Sequence, residues 1–375
     1  MKKLTKTLSI LVLLVIMVGM LAACAPKAVE EPETPAVEEP AVEAPAETGA
    51  PFTIGISNPF ISSEYRTQMI DNLITINEEY KALGLTKDLV IENFDTDVAG
   101  QIEQIENLIN AGVDALLVNP GDAVALNQIL EEAVEMGILV FSIDQEIEAK
   151  GVINVGHNQY EFARISAAWL AENLVEGDVV QIEGFIGHPA NNLRMSAVAD
   201  VFADYPGINV LASESGSWDE ATGQQVMSDF LAAYPNLDAY WTQDGMAIGA
   251  LEAVIAANPD PYPLGVGEAR VKFLQLWAAM LEKDPEYKTI AVANAPGVNA
   301  TALRIAVEML LGNKLGDSVL GGQYGTTVVI DIPIVVTTEN FDEVYAEYVA
   351  SGLYPDSYLL DGIMTRDEVL EAFFK

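Results

Sequence analysis

The sequence predicts an α/β protein of two lobes, each a parallel β-sheet with helices on both faces. Short apolar runs alternate with helical runs from Phe52 onwards, and strict alternation of this kind is typical of parallel sheets. The strand–helix units are too many for one sheet of ordinary size, so we assign them to two sheets. Polar residues follow most of the strands directly, at the edge where such sheets bind ligands.

The first units of this pattern begin beside the first predicted strand. Ser62 and Ser63 follow that strand and are good N-terminal caps for a helix. A later helix places Ile102, Ile105 and Leu108 on one apolar face. The predicted strands are 52–57, 89–94, 115–118, 138–143 and 152–155, and the helices run from the serine cap to 80 and over 99–111 and 124–136.

The same alternation continues through the second half of the chain. A β-rich segment at 328–336 is interrupted by Pro333, because proline cannot donate a hydrogen bond within a sheet. The other predicted strands are 179–183, 210–213, 237–242, 264–267 and 289–293, and the helices are 162–174, 193–205, 246–255, 272–281, 299–311, 341–350 and 366–374.

The stretch 217–251 is the most informative part of this pattern. Its first helix ends at Tyr234, since a residue before proline avoids the helical region. A short buried strand, a polar turn and a second helix follow. Trp218 precedes the first helix, and Gln243 and Asp244 close the strand. These side chains are therefore candidate ligand contacts.

The composition excludes one class of partner. The chain has 375 residues, enough for two domains, and 50% of them are hydrophobic. Its formal net charge is −38, and a surface this acidic repels phosphate backbones. We therefore expect no nucleic-acid partner.

The N-terminus predicts export and a lipid anchor. Lys2, Lys3 and Lys6 precede an apolar run at 8–21, which is too short for a comfortable membrane span. The run ends in Leu-Ala-Ala-Cys, which resembles the bacterial lipobox and implies that Cys24 is acylated. Residues 1–23 are then a signal peptide. Cys24 is the only cysteine, so no intrachain disulfide can form. The alternative is an ordinary signal peptide with a chance cysteine.

Residues 24–51 have the composition of a tether. They are almost wholly alanine, proline, glutamate and valine, and cannot bury enough apolar surface to fold. Prolines and like charges keep such a segment extended. We expect it to hold the folded region away from a membrane surface.

The stretch 217–251, with Ser-Trp-Asp, Tyr-Pro-Asn-Leu-Asp-Ala and Gln-Asp-Gly-Met-Ala-Ile-Gly-Ala-Leu at its spacing, resembles the ribose-binding-like sugar-binding proteins of ABC importers. The resemblance covers about residues 52–335. It implies two Rossmann-like lobes joined by a three-crossing hinge, with the ligand in the interlobe cleft. Lobe I would comprise 52–156 plus 295–328, and lobe II 157–294 plus 329–375. The crossings would lie near Gly156/His157, Asn294/Ala295 and Val328/Val329.

The resemblance also implies the ligand-binding residues. Asp144 matches an aspartate that takes a pair of sugar hydroxyls, and Trp218 takes the place of an aromatic wall. Where ribose binders have arginines, this chain has Gln145 and Asn192, which leaves a polyol ligand plausible but puts ribose in doubt. The implied ligand residues are Asn58, Phe60, Asp144, Gln145, Asn192, Arg194, Trp218, Gln243, Asp244, Glu268 and Asn294.

Each of these residues also has a structural interpretation. Asp144, Asp244 and Asn119 could instead be turn formers or helix caps without a ligand, and Trp218 could belong to a core. His157 and His188 are lone histidines in turns, for which we expect structural roles. Several predicted cleft turns are acidic and few basic residues are expected there, so we predict a neutral monosaccharide rather than an anion.

The expected function is capture of a monosaccharide and its delivery to an ABC permease and its ATPase. We expect a lipid-anchored, extracytoplasmic monomer without cofactor or metal. The chain lacks the P-loop, nucleophile-elbow and zinc-protease motifs, and a repressor would need a helix-turn-helix before residue 52. A sensor that docks a receptor shares the fold, so that alternative stays open.

Overall fold

The computed structural model describes residues 49–61 and 63–374, and these residues form two α/β lobes. The predicted signal peptide, Cys24, most of the tether and Ser62 lie outside the described residues. The strands are β1 (Ile54–Asn58), β2 (Val90–Asn93), β3 (Ala115–Val118), β4 (Leu139–Ile143), β5 (Ile153–His157), β6 (Gly177–Glu183), β7 (Ile208–Ser215), β8 (Ala239–Trp241), β9 (Leu264–Glu268), β10 (Thr289–Val292), β11 (Leu320–Gly321), β12 (Thr327–Ile330) and β13 (Val335–Val336).

The helices fill the positions that the sequence pattern predicts. Ser63 caps the first helix, because its hydroxyl accepts a hydrogen bond from the Arg66 amide at 3.2 Å. The helices are α1 (Glu64–Ala82), α2 (Val98–Asn110), α3 (Asn127–Glu135), α4 (Gln159–Leu174), α5 (Pro189–Ala203), α6 (Glu220–Ala233), α7 (Met246–Ala257), α8 (Val271–Lys283), α9 (Val298–Leu310), α10 (Phe341–Tyr345), which continues as a π-helical turn over Ala346–Ala350, and α11 (Arg366–Phe373).

Lobe I is built on a seven-stranded sheet with the order β11-β12-β5-β4-β3-β1-β2. Helices α1 and α9 pack on one face, and α2 and α3 on the other. Successive residues of β3 enter different cores: Leu117 joins the first and Leu116 the second. Side chains alternate along a strand, so a strand covered on both faces must be apolar throughout.

Lobe II is built on a six-stranded sheet with the order β13-β10-β9-β8-β6-β7. Its helices α4 and α5 cover one face, and α6, α7 and α8 cover the other. Two α/β lobes were predicted and are confirmed, but the sheets are not wholly parallel. Strand β11 is antiparallel to β12, and β13 is antiparallel to β10. Each of these edge strands has only two residues, too short to produce a periodic signal.

The three expected chain passages between the lobes lie after β5, between β10 and α9, and between β12 and β13. The third lies a few residues later than the expected Val328/Val329, because β12 continues to Ile330. The ring nitrogens of His157 lie 3.2 Å from the carbonyl oxygens of Ile330 and Ala295. This histidine therefore connects all three passages, which is the structural role expected for it.

The C-terminal helix departs from the expected division of the chain. Val369 and Phe373 of α11 are buried in the lobe I core, although residues 329–375 were all assigned to lobe II. Phe341 of α10, by contrast, is buried in lobe II. The assignment is wrong for α11, because the apolar face of this helix has its partners on lobe I. In the described part of the chain, no helix is long and apolar enough to cross a membrane.

Candidate ligand-binding cleft

Most of the predicted site residues lie at or just after the carboxyl ends of strands in both lobes, and Asn192 and Arg194 lie on α5. Three of them have a backbone that L-residues rarely adopt: φ is 72° at Asp144, 53° at Trp218 and 52° at Asp244. Aspartate tolerates this left-handed region, but for a bulky residue such as tryptophan it is an outlier. Strained residues of this kind cluster at functional sites. Trp218 also packs against a core cluster of lobe II, so its ligand role stays a prediction.

Arg194 holds together the lobe II wall of the cleft. It projects from α5, is 1% exposed, and donates to the side-chain oxygens of Gln159 at 2.8 Å and Gln243 at 2.7 Å. The same guanidinium pairs with Asp244 at 2.5 Å. Its carbon also lies 4.3 Å from the centre of the Phe162 ring. A buried cation with these partners fixes the orientation of each of them.

Gln243 carries this network on to the aromatic wall. Its side-chain oxygen also accepts from Trp218 Nε1 at 2.9 Å, and its amide donates to Asn191 Oδ1 at 2.8 Å. The Trp218 ring packs so closely on Gly184 that a Cβ there would lie 2.2 Å from the indole. Its centroid is 4.8 Å from that of His188, in an edge-on arrangement. The indole is therefore held in place before any ligand arrives.

The lobe I wall is centred on Asp144. Its carboxylate pairs with Arg66 at 3.1 Å and accepts a hydrogen bond from the Tyr65 hydroxyl at 3.2 Å. Both partners come from the first turn of α1. Burial, and next the charge of Asp144, raise the pKa of Tyr65 well above its usual range. Tyr65 therefore stays protonated and remains a hydrogen-bond donor.

The two walls lie close enough for their charges to interact. The charge of Asp244 of lobe II adds a smaller contribution to the raised pKa of Tyr65 of lobe I. Burial lowers the pKa of His188 of lobe II. Of the charges on lobe I, that of Asp144 acts against this shift and that of Arg66 adds to it. The two lobes therefore face each other here, and an ion pair also joins them.

A third arginine–carboxylate pair lies beside the two walls. Glu268, at the end of β9, is 1% exposed, and its Oε2 lies 2.7 Å from Arg270 Nε without the alignment of a hydrogen bond. Burial raises the pKa of Glu268 to about 7, although the neighbouring guanidinium acts against that shift. Arg270 also pairs with Glu64 of α1, so this ion pair joins the two lobes.

Several buried polar atoms at the strand ends lack a hydrogen-bond partner among the described residues. The side-chain NH₂ group of Asn58, at the end of β1, donates to Asn93 Oδ1 and to the Phe60 carbonyl oxygen. Its side-chain oxygen has no hydrogen-bond partner among the described residues. Native proteins rarely leave such atoms unpaired. The unpaired side-chain oxygens at or just after strand ends include those of Asn58, Asn119, Thr242, Asp244, Glu268 and Asn294.

The remaining predicted residues differ in how far they are buried and in what they contact. Phe60 is 42% exposed, and Gln145 is half-buried, with its carbonyl accepting from the Ser142 hydroxyl at 2.7 Å. Asn192 is exposed and donates to the Gly187 carbonyl at 3.3 Å. It is not part of the Arg194 network.

Sequence reasoning missed four residues of the cleft: Tyr65, Arg66, Asn191 and Arg270. Asn191 stands one position from the predicted Asn192, and a helical periodicity starting at Pro189 could have separated them. Few basic residues were expected in the cleft, but Arg66, Arg194 and Arg270 all lie there. That premise is wrong, because arginines from α1, α5 and the start of α8 point into the cleft. No group of three or more metal-ligating side chains occurs among the residues described.

The family is decided by a match over most of the folded region. A family model described as a periplasmic binding protein domain matches residues 54–314. The chain belongs to the periplasmic binding protein family. This binding protein is of the ribose-binding-like type I, as expected from the stretch 217–251.

Relatives and solved structures agree with this family. The ribose import binding protein RbsB of Bacillus subtilis is 31% identical to this binding protein over 217 residues, 57% of this chain and 69% of the relative. The D-allose-binding periplasmic protein of Escherichia coli is 25% identical over 271 residues, 69% and 83% of the two chains. An ABC transporter solute binding protein from Thermobispora bispora has the same fold, with a TM-score of 0.71, 22% identity and coverage of 85% and 94%.

Proposed function

We propose that this binding protein captures a neutral monosaccharide or a related polyol between its lobes. The proposal is supported above all by the unpaired oxygens of Asn58, Asn119 and Asp244. They lie at the strand ends of both lobes, where a ligand rich in hydroxyl groups would pair with them. Leaving such atoms unpaired costs about 1–3 kcal/mol each, so a matching ligand is bound and an isomer is rejected.

The charge balance of the cleft favours a neutral ligand. Each of its arginines already has a carboxylate partner: Asp144 for Arg66, Asp244 for Arg194, and Glu268 for Arg270. A phosphate or a carboxylate would have to break one of these pairs and leave a carboxylate unneutralised. A sugar hydroxyl can donate to the carboxylate and accept from the guanidinium of one pair.

Ligand capture would involve closure of the lobes. Asp144 belongs to lobe I and Trp218 to lobe II, so a sugar that touches both binds the closed arrangement better than the open one. Only such a difference in affinity can shift the equilibrium between the two arrangements. The apolar C–H face of the sugar would pack on the Trp218 indole. We propose that the remaining predicted ligand residues, Phe60, Gln145, Asn192 and Asn294, line the same closed space.

A calorimetric titration tests the ligand class. D-ribose, D-allose and myo-inositol represent neutral ligands, and ribose 5-phosphate and succinate represent anions. We expect saturable binding of at least one neutral compound and a raised melting temperature with that compound. Tight binding of an anion, with no binding of any neutral sugar in a wider panel, would refute the proposal.

We further propose that this protein is a monomeric, lipid-anchored component of an ABC importer. The support is the lipobox-like sequence ending at Cys24 and the tether that follows it. Replacing Cys24 with serine should release the protein from the membrane fraction and stop processing at that residue. Continued membrane attachment and unchanged processing would contradict the anchor. Loss of sugar uptake in a deletion strain would support import rather than sensing.

A further inference from the structure

The chain beyond the third passage returns to lobe I. Phe341 and Leu360 are buried in the lobe II core, whereas Val369 and Phe373 are buried in the lobe I core. Between these anchors the chain must cross from one lobe to the other. The structure therefore contains a fourth passage, which neither sheet pattern nor helix periodicity predicts.

In this fourth passage, adjacent residues are hydrogen-bonded to different lobes. On the lobe II side, the Leu360 amide donates to the Ala269 carbonyl at 2.8 Å, and the Val271 amide donates to the Tyr358 carbonyl at 3.0 Å. On the lobe I side, Asp361 accepts from the Gly297 amide at 2.8 Å. The peptide between residues 360 and 361 is thus held to different lobes at its two ends. A connection without slack keeps the lobes together at that point.

Gln68 reinforces the passage from lobe I. Its side-chain amide accepts from the Leu359 amide at 2.9 Å and donates to the Leu359 carbonyl at 2.8 Å, as a neighbouring strand would. It also lies 3.0 Å from Asp361, which accepts from Asn72 as well. Leu359 is paired with Arg270 on its other side. One residue of the tail is therefore bound by both lobes.

The fourth passage runs beside the other three. A Cβ on Gly362 would lie 2.1 Å from the Cβ of Pro333, a residue of the third passage. Gly297, whose amide donates to Asp361, follows the second passage. Burial raises the pKa of Asp361, the hydrogen bonds that it accepts act against that shift, and the nearby His157, at the first passage, acts in the same direction as those bonds. The four passages form one packed bundle.

We propose that Leu359–Gly362 is a fourth hinge connection, and that Gln68 and Asp361 are positioning residues that limit how far the lobes separate. Gln68 lies on α1, less than one turn from Tyr65 and Arg66, which contact Asp144. Holding α1 to the tail therefore also sets where these two side chains enter the cleft. The proposal does not require the ligand to be a sugar.

Hydrogen–deuterium exchange of the full chain without ligand tests this role. Gln68→Met keeps most of the side-chain volume and removes its hydrogen bonds to Leu359 and Asp361. Gln275→Met is the matched control, because the Gln275 amide also donates to the tail, to Asp356 at 2.8 Å, but from lobe II alone. The decisive amide is that of Gly297, whose own acceptor is unchanged in both variants.

We expect Gln68→Met to speed exchange of the Gly297 and Leu360 amides about tenfold, from the loss of at least two neutral hydrogen bonds. Exchange in the sheet cores, for example at Leu117 of β3 and Val180 of β6, should not change. Gln275→Met should leave the Gly297 amide at the wild-type rate. A rise confined to Leu359, equal rises in both variants, or a rise shared by the sheet cores would overturn the proposal.

Asp361→Asn is a second variant for the case that Gln68→Met does not fold. The asparagine oxygen can still accept from Gly297, but its amide group now faces the donors of Gln68 and Asn72. We expect faster exchange at Leu359 and Leu360, because the hydrogen bond that Gln68 donates to Asp361 is lost. Wild-type exchange at both amides in Asp361→Asn would contradict the proposal.

Discussion

The two walls of the cleft are built differently. On lobe II, Arg194 is 1% exposed and joins Gln159, Gln243 and Asp244 in one hydrogen-bonded network. On lobe I, the arginine of the pair is more accessible: the Arg66 side chain is 11% exposed against 2% for Arg194, whereas the carboxylates of the two pairs are alike at 16% and 17%. Unpaired side-chain oxygens lie at strand ends of both lobes.

The difference indicates a division of work between the walls. A network whose members are mostly satisfied inside the protein is rigid before the ligand arrives, and it lowers the entropy that binding must overcome. The lobe I pair is held by a smaller set of hydrogen bonds inside the protein, so a larger share of its contacts comes from the ligand or from closure. Substitutions in the lobe II wall should therefore affect folding first, and those in the lobe I wall should affect binding first.

The largest expected effect is that of Arg194→Met. It removes the cation from a buried pair and leaves Asp244 without compensation, which costs about 3–5 kcal/mol of unfolding free energy. Urea denaturation of the wild type and the variant measures this loss. The control is Arg164→Met: that arginine pairs with Glu161, and the two side chains are 47% and 36% exposed. The loss of a surface pair should cost less than about 1 kcal/mol.

Equal losses in the two variants would show that the Arg194 network contributes no more than a surface ion pair. The comparison between the walls would then fail on the lobe II side.

The next effect is a pH dependence that originates at Glu268. The pKa of this carboxyl is about 7 in the folded protein against an ordinary 4.5, so between these values the folded state holds a proton that the unfolded state has lost. The unfolding free energy should therefore fall as pH rises from 4.5 to about 7, by up to about 3 kcal/mol. Glu268→Gln should flatten this part of the profile.

Denaturation midpoints at half-unit pH steps measure that profile. The control is Glu103→Gln, an exposed position on α2, which should keep the wild-type slope. A wild-type stability that rises with pH over this window, or a slope unchanged by Glu268→Gln, would contradict the assignment.

Asp144→Ala tests the lobe I wall. It should lower the unfolding free energy by about 1–2 kcal/mol, because alanine tolerates the φ of 72° less well than aspartate and because Arg66 loses its partner. It should weaken sugar binding by about 1.5–3 kcal/mol, the value of a hydrogen bond to a charged group. Titration calorimetry with the best neutral ligand measures the loss. Asp88→Ala removes a carboxylate that is 87% exposed and paired with Lys81, and it should not change binding. Wild-type affinity in Asp144→Ala would reduce Asp144 to a turn former.

Much of the fold could be predicted because hydrophobic periodicity and the residues that end helices and strands are local features of the sequence. The strand at 115–118 was predicted with its observed bounds, and Pro333 marks the break between β12 and β13. Short edge strands gave no signal, since two residues have no period. The return of α11 to lobe I depends on which core accepts Val369 and Phe373, and helical spacing alone cannot show that.

From the strand–helix pattern itself, the site could be predicted mainly where a residue ends a strand. Asp144, Asp244 and Glu268 do so, and all three carry an arginine partner. Two of those partners are far away in sequence, Arg66 on α1 and Arg194 on α5. Arg194 was named only through the family resemblance, because a charge on a helix looks the same in the sequence whether it faces solvent or a cleft. The lobes bring these arginines and carboxylates together through the crossings of the chain, which are tertiary features.

The smallest expected effect separates two contributions of Trp218, stacking and backbone strain. Trp218→Ala should weaken sugar binding by about 1 kcal/mol beyond the lost area, since the indole is the aromatic wall of lobe II. Trp218→Gly loses the same ring, but glycine adopts the φ of 53° at this position without strain. The unfolding free energy of the glycine variant should therefore be about 1 kcal/mol higher than that of the alanine variant. Binding by the two variants should be equally weak, because neither offers a ring. Urea denaturation and calorimetry on the same samples measure both quantities. If the glycine variant is no more stable than the alanine variant, the left-handed backbone at 218 is not strained, and the rigidity of the lobe II wall then comes from the Arg194 network alone.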